Sequence, residues 1–198
     1  MAQLLIESKA LRFSLKKPFH YASGLSGPLY CDNRILLSLV KQRKIIVRAF
    51  TRKIQSIKES FDLVAGVATG GIPYGMLVAH ALNMPFLYIR KKNKQHGMAK
   101  RIEGMWKKGD RIILIEDLVN QGGSILDMAL HAREQGLEVV ACFCIVDYQM
   151  KKSRENLKKH DFPLYSLSDF TSIVNQARTL ELITENERQE IVSWQQLQ

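Results

Sequence analysis

The chain has 198 residues, 46% hydrophobic and 24% charged, which is enough for one domain with a sizeable core and excludes low-complexity and disordered classes. No apolar run approaches the roughly 18 residues of a membrane span, and residues 1–13 lack a signal-peptide core, so no membrane partner is expected. Three cysteines, Cys31, Cys142 and Cys144, form neither a disulfide framework nor a metal-ligand spacing, so a reducing cytoplasm is expected, and the net charge of +10 suits polyphosphate substrates, nucleic acid or plain solubility.

Residues 2–10 have the spacing of a short amphipathic helix. Residues 18–34 are rich in glycine, proline and aromatics, which predicts turns and short strands. Within Ile35–Ile57 apolar residues recur at helical spacing, so a long helix is expected there. Signals then alternate. Asp62–Val67 reads as a buried strand, Ala68–Gly71 as a loop, Ile72–Leu82 as a helix and Pro85–Arg90 as a strand, followed by a polar loop, Lys91–Lys108. Ile112–Ile115 is the next strand, and Ser124 opens a helix that Gly136 closes. Val139–Val146 is a further strand, carrying Cys142 and Cys144 on one face. The tail has a capping box, Thr184 to Glu187, ahead of a terminal helix with Ile191 and Trp194. Strands alternating with helices predict an α/β fold with a central parallel sheet flanked by helices, whose ligands collect at the C-terminal strand ends.

The most informative stretch is Arg111–Leu130, RIILIEDLVNQGGSILDMAL. Its strand stops on Glu116 and Asp117, and a glycine-bearing loop, Asn120–Ser124, leads into the helix. Ser124 and Asp127 have the form of a capping box. Glycines and a helix N-terminus make an anion cradle, whereas the two acids suit sugar hydroxyls or a divalent cation. A ligand bearing a phosphate and a hydroxylated ring, with Mg²⁺, satisfies both halves; an ordinary strand–turn–helix with solvated acids stays open. Ala68–Gly71 can offer backbone N–H groups to a second anion. The segment Lys91–Glu103, with Lys91, Lys92, Lys94, Lys100, Arg101 and His96, reads either as a mobile cationic lid over a leaving pyrophosphate or as a solvated charged surface.

Glu116–Ser124 resembles the phosphoribosyl-diphosphate (PRPP) motif of type I phosphoribosyltransferases. Phe19–Gly24 with Pro28–Arg34, Gly66–Pro73 and Arg90–Gly97 are similar, in the same order, to three further motifs of the branch that uses orotate. The resemblance implies a single phosphoribosyltransferase domain over 1–198, with an N-terminal hood in 1–34, a PRPP-binding core in 60–170 and C-terminal helices in 171–198. It implies transfer of the phosphoribosyl group from PRPP to orotate, with Mg²⁺, giving orotidine 5′-monophosphate and pyrophosphate. By the same resemblance PRPP is held by Arg90, Lys91, Lys94, His96, Glu116, Asp117, Leu118, Val119, Asn120, Gln121, Gly122, Gly123 and Ser124. Pyrophosphate falls to Thr69, Gly70 and Gly71; Lys94, His96 and Asp117 are the catalytic candidates; Glu116 and Asp117 serve the metal through substrate or water. The partner implied is a second copy, in a homodimer that shares the catalytic loop.

Three departures bear on the base. Gly24-Leu-Ser26-Gly-Pro28 lacks the family's usual lysine before Ser-Pro, Asn120 and Gln121 stand where threonines or serines are usual, and Tyr148 stands where an arginine usually pairs with the orotate carboxylate. A tyrosine lacks the charged fork of an arginine. Ser26, Asn120 and Tyr148 are therefore the base-binding candidates, with Lys151 or Lys152 as a replacement charge and another base acceptor as the alternative. A weakly catalytic RNA-binding regulator of the same fold is a further alternative, but the chain has neither an RRM-like aromatic signature nor a KH loop, so nucleic acid is not expected.

Overall fold

A six-stranded sheet forms the centre of the computed structural model, which describes residues 1–21, 24, 26–91 and 101–197. Its strands in chain order are β5 (Leu63–Val67), β6 (Phe86–Ile89), β7 (Ile102–Glu103), β8 (Arg111–Val119), β9 (Glu138–Asp147) and β10 (Leu164–Asp169). They lie in the order β10-β9-β8-β5-β6-β7, parallel except for β7, which runs antiparallel to β6 at one edge. Before the sheet come helix α1 (Ala2–Glu7), strands β1 (Leu11–Phe13), β2 (Phe19–His20), β3 (Ser26–Gly27) and β4 (Leu29–Cys31), and helices α2 (Ile35–Ser38) and α3 (Val40–Gln55). The crossover helices are α4 (Gly71–Leu82), α5 (Gly123–Glu134) and α6 (Lys151–Lys159), and α7 (Phe170–Thr179) and α8 (Glu185–Gln196) close the chain.

The middle strands are apolar at successive positions because both faces are covered. Ile113 and Ile115 of β8 with Phe143 and Ile145 of β9 enter one core, together with Phe50 of α3, Tyr74 of α4 and Ile173 of α7. Ile112 and Leu114, with Cys142 and Cys144, enter the other, beneath Ile125, Met128 and Ala132 of α5. The two cysteines do share a face, as their spacing predicts. Burial pushes the Cys142 thiol to about 12 and Cys144 well up, so both act as small core hydrophobes.

The N-terminal hood is two antiparallel pairs, β1 with β4 and β2 with β3. It shares the first core: Leu11 and Leu29 pack with Leu5 of α1, Phe170 of α7 and Ile191 of α8.

The structure departs from the sequence reading in several places. Helix 35–57 is broken at Leu39, which joins α2 to α3 with extended ψ. The loop assigned to 91–108 contains β7, so the sheet is mostly rather than wholly parallel. Strand β8 does not stop at Glu116 and Asp117 but runs on to Val119, because β9 pairs alongside it from Arg111↔Glu138 through Glu116↔Cys144 to Val119↔Asp147. Lys151 and Lys152 open α6, a helix that the sequence reading does not include, and β10 and α7 are likewise additional elements.

Candidate active site

Glu116 lies within β8, and burial and then the neighbouring Asp117 charge raise its carboxyl well above the glutamate range. Its Oε1 accepts the Asp117 backbone N–H at 2.9 Å. Asp117 turns toward the α4 side: a side chain on Gly70 would run into its carboxylate, and one on Gly71 would strike the Ile115 carbonyl. Two glycines in sequence thus let the start of α4 rest on the end of β8, placing Thr69–Gly71 beside the acids. The Ala68–Thr69 peptide is cis.

Asn33, 1% exposed, fastens this corner to the hood. Its Nδ2 donates to the Asp117 carbonyl at 2.7 Å, and its own carbonyl accepts the Tyr74 hydroxyl at 2.6 Å. The sequence reading placed Asn33 in a motif but gave it no role. A pairing across 84 residues leaves no local signal.

Beyond Val119 the chain turns through Gly122, at φ +71, into α5. The capping box assigned to Ser124 and Asp127 does not form. The helix starts at Gly123 with no side-chain cap, and Asp127 instead pairs with Arg101, after the lysine-rich segment. By contrast α7 is capped by Asp169 and α8 by the predicted Thr184–Glu187 box. Among the described residues the first-turn amides of α5 therefore have neither an intrahelical acceptor nor a side-chain one. They border a cleft of about 310 Å³ lined by Lys91, Glu116, Leu118, Asn120, Gln121 and Gly122–Ser124. Uncapped amides, the helix dipole and a cation on one wall suit an anion, and Glu116 is the one carboxylate among the described lining residues.

The two glycines here are not equivalent. A side chain on Gly122 would meet Ser153 and would need the left-handed backbone, whereas Gly123 has open space. Gly123→Ala is expected to leave the free protein as stable or slightly more so, since alanine is the better helix former. Its methyl obstructs the cradle and is expected to weaken PRPP binding about fivefold, the equivalent of one hydrogen bond of ~1 kcal/mol. Thermal melts and calorimetry check the two signs; unchanged PRPP affinity would remove the cradle from the ligand's footprint.

Arg90 closes the β6 side, its backbone N–H donating to the Arg101 carbonyl at 2.8 Å and its guanidinium 3.5 Å from Glu103. The lid expectation and the positions Lys94 and His96 lie outside the described residues.

The base candidates meet through their neighbours. The Tyr148 N–H donates to the Val119 carbonyl at 2.9 Å, which sets it beside Asn120. Tyr148 is only 1% exposed, edge-on to Phe170, and its hydroxyl is buried beside the Cys31 backbone. Among the described residues Asn120 Oδ1 is buried without a partner. Ser26 Oγ sits 2.7 Å from His20 Nδ1. Lys151 and Lys152 are exposed in the first turn of α6.

Among the described residues no group of three or more metal-ligating side chains occurs, and no helix is long and apolar enough to cross a membrane. The phosphoribosyl transferase domain profile matches residues 37–181. Orotate phosphoribosyltransferase of Coxiella burnetii is 38% identical over 194 residues, 98% of this chain and 93% of that protein. Orotate phosphoribosyltransferase of Aeropyrum pernix superposes with a TM-score of 0.78 at 26% identity, covering 92% of this chain and 99% of that one. UMP synthase of Leishmania donovani superposes with a TM-score of 0.83 at 25% identity over 100% of this chain, which spans 42% of that protein. The chain belongs to the phosphoribosyltransferase family, alongside the orotate phosphoribosyltransferases.

Proposed function

We propose that this enzyme transfers the 5-phosphoribosyl group of PRPP to orotate, giving orotidine 5′-monophosphate and pyrophosphate, a step in making pyrimidine nucleotides. The observation that carries the reading is the convergence, at one end of the sheet, of the uncapped α5 N-terminus, the Glu116–Asp117 pair and the Thr69–Gly71 turn. A 5′-phosphate suits the first, ribose hydroxyls the second and pyrophosphate the third.

In this reading Asn120–Ser124 grip the 5′-phosphate, with Leu118 and Val119 forming the cleft floor. Glu116 and Asp117 accept the ribose hydroxyls. Arg90, Lys91, Lys94 and His96 face the diphosphate, where their charge stabilises the leaving group as positive charge develops on the ribose ring. Two adjacent carboxylates, the titration of one raised by burial and its neighbour's charge, form an oxygen donor set that a hard cation relieves, so the residues fit Mg²⁺. Bound there through substrate or water, Mg²⁺ supplies neutralisation of the diphosphate charge.

The orotate half rests on Ser26, Asn120 and the chain end at Tyr148. The burial of Tyr148 favours a second reading, the same transfer to a different base, since that ring brings no cation to a carboxylate. The working unit is one domain over 1–198, with hood, core and C-terminal helices, in a cytoplasmic homodimer whose loop is shared between subunits. PRPP-dependent pyrophosphate release, assayed with orotate and a panel of other bases, decides between the readings. Release with orotate alone supports the first; release with another base alone supports the second; no release with any base overturns both.

A further inference from the structure

The last turn of α8 touches both halves of the base side. Helix α8 is anchored independently, by its capping box at Thr184–Glu187 and by fully buried Ile191. One turn later Trp194 reaches the hood, where its indole N–H donates to the Ser26 carbonyl at 2.9 Å. Its ring lies so close to Gly27 that any side chain there would collide with it. The next residue reaches the opposite wall: Gln195 Nε2 donates to the carbonyls of Tyr148 at 3.3 Å and Gln149 at 2.7 Å.

Gln149 explains why that wall needs holding. It adopts φ +55, a left-handed conformation that a non-glycine residue takes up only when its surroundings fix it. Three contacts do so here. Its N–H donates to Asp147 Oδ1 at 2.8 Å, its Oε1 accepts the Thr171 hydroxyl at 2.7 Å, and its carbonyl accepts from Gln195. A row of rings runs in parallel with these bonds. Tyr21 of the hood, Trp194, Phe170 and Tyr148 follow one another with centroids 6.3, 6.3 and 6.4 Å apart.

We propose that the last turn of α8 is a positioning strut for the base pocket, Trp194 holding the hairpin that carries Ser26 while Gln195 holds the chain end at Tyr148 and Gln149. The strut rests on the reading of Ser26 and Tyr148 as base-side residues. It acts chiefly on the acceptor side, because Trp194 bonds the hood and Gln195 the chain end after β9, and the PRPP cradle is reached only indirectly, from the Tyr148 N–H to the Val119 carbonyl.

Two variants test it in the full chain. Trp194→Phe keeps a ring but loses the donor to Ser26; Gln195→Glu keeps the shape but loses both amide donors. Each is expected to raise the KM for orotate about 5- to 10-fold, the loss of one or two net hydrogen bonds, with the KM for PRPP close to wild type and the melting temperature lowered by only about 2–4 °C. Amide exchange of Phe19, His20, Ser26 and Gly27 is expected to quicken in Trp194→Phe and that of Gln149 in Gln195→Glu. Parallel rises in both KM values with a larger fall in melting temperature would make α8 merely structural and overturn the strut, as would an unchanged orotate KM. A wild type inactive with orotate overturns the orotate reading instead. The strut is then judged on the KM of whichever base is used, and with no active base unchanged amide exchange overturns it.

Discussion

Asparagine in place of Asp117 is expected to weaken PRPP binding by about 2- to 30-fold while leaving the fold intact. The backbone carbonyl of Asp117 is what Asn33 holds, at 2.7 Å, and asparagine keeps that carbonyl. The side chain lies against Gly70, a contact that an amide of the same size fills equally well. What changes is charge. A hydrogen bond from a ribose hydroxyl to a carboxylate contributes about 1.5–3 kcal/mol, against about 1 kcal/mol to a neutral amide, and an amide that turns its NH₂ inward offers a donor where an acceptor is needed. The variant also removes the like charge beside Glu116, so the free protein should melt no lower than wild type. Calorimetry of PRPP with magnesium, beside thermal melts, reads both quantities; unchanged PRPP affinity would detach the acidic pair from the ribose.

Much of this corner was legible in the sequence because its signals are local. Strand β5, the glycine turn into α4, β6, β8, α5 and β9 each have an apolar run bounded by polar or glycine residues, and the α8 capping box lies within four residues. Other features escaped because they are decided across the fold. The Ser124–Asp127 pair looks like a cap, but Arg101 takes Asp127, and the amides left over become the anion site. Glu116 and Asp117 look like the end of a strand because they are charged, yet the ladder to β9 carries them along. Helix α6 buries only Ser153 and Leu157 in nine residues, and β10 is half-buried over most of its length, so neither offers a sustained apolar run. Asn33, Trp194 and Gln195 act through partners 84, 168 and 47 or 46 residues away, which no local pattern announces.

Replacing Glu116 with glutamine is expected to move stability and binding in opposite directions. Glu116 is 6% exposed and sits beside Asp117, so its carboxyl holds its proton well above the ordinary value of 4.5. Below 4.5 the group is protonated whether folded or not and brings no penalty. As pH rises from there to the folded-state value, the unfolded chain releases the proton while the native one retains it. Native stability then falls, by about 1.4 kcal/mol for each pH unit of that window, and levels off once the native carboxyl has ionised. Glutamine cannot ionise, yet its Oε1 still accepts the Asp117 N–H, so Glu116→Gln should flatten this slope and melt higher than wild type at neutral pH in the absence of ligand. If Glu116 receives PRPP with magnesium as proposed, the ionised form is the one used, so wild-type affinity should rise with pH through the same window, while the variant binds about tenfold or more weakly, ~1.4 kcal/mol, with little pH dependence. Melting curves and calorimetry across this range test both halves. A slope that persists in the variant would assign the proton to another group, and undiminished PRPP affinity would remove Glu116 from the pair that receives the ribose.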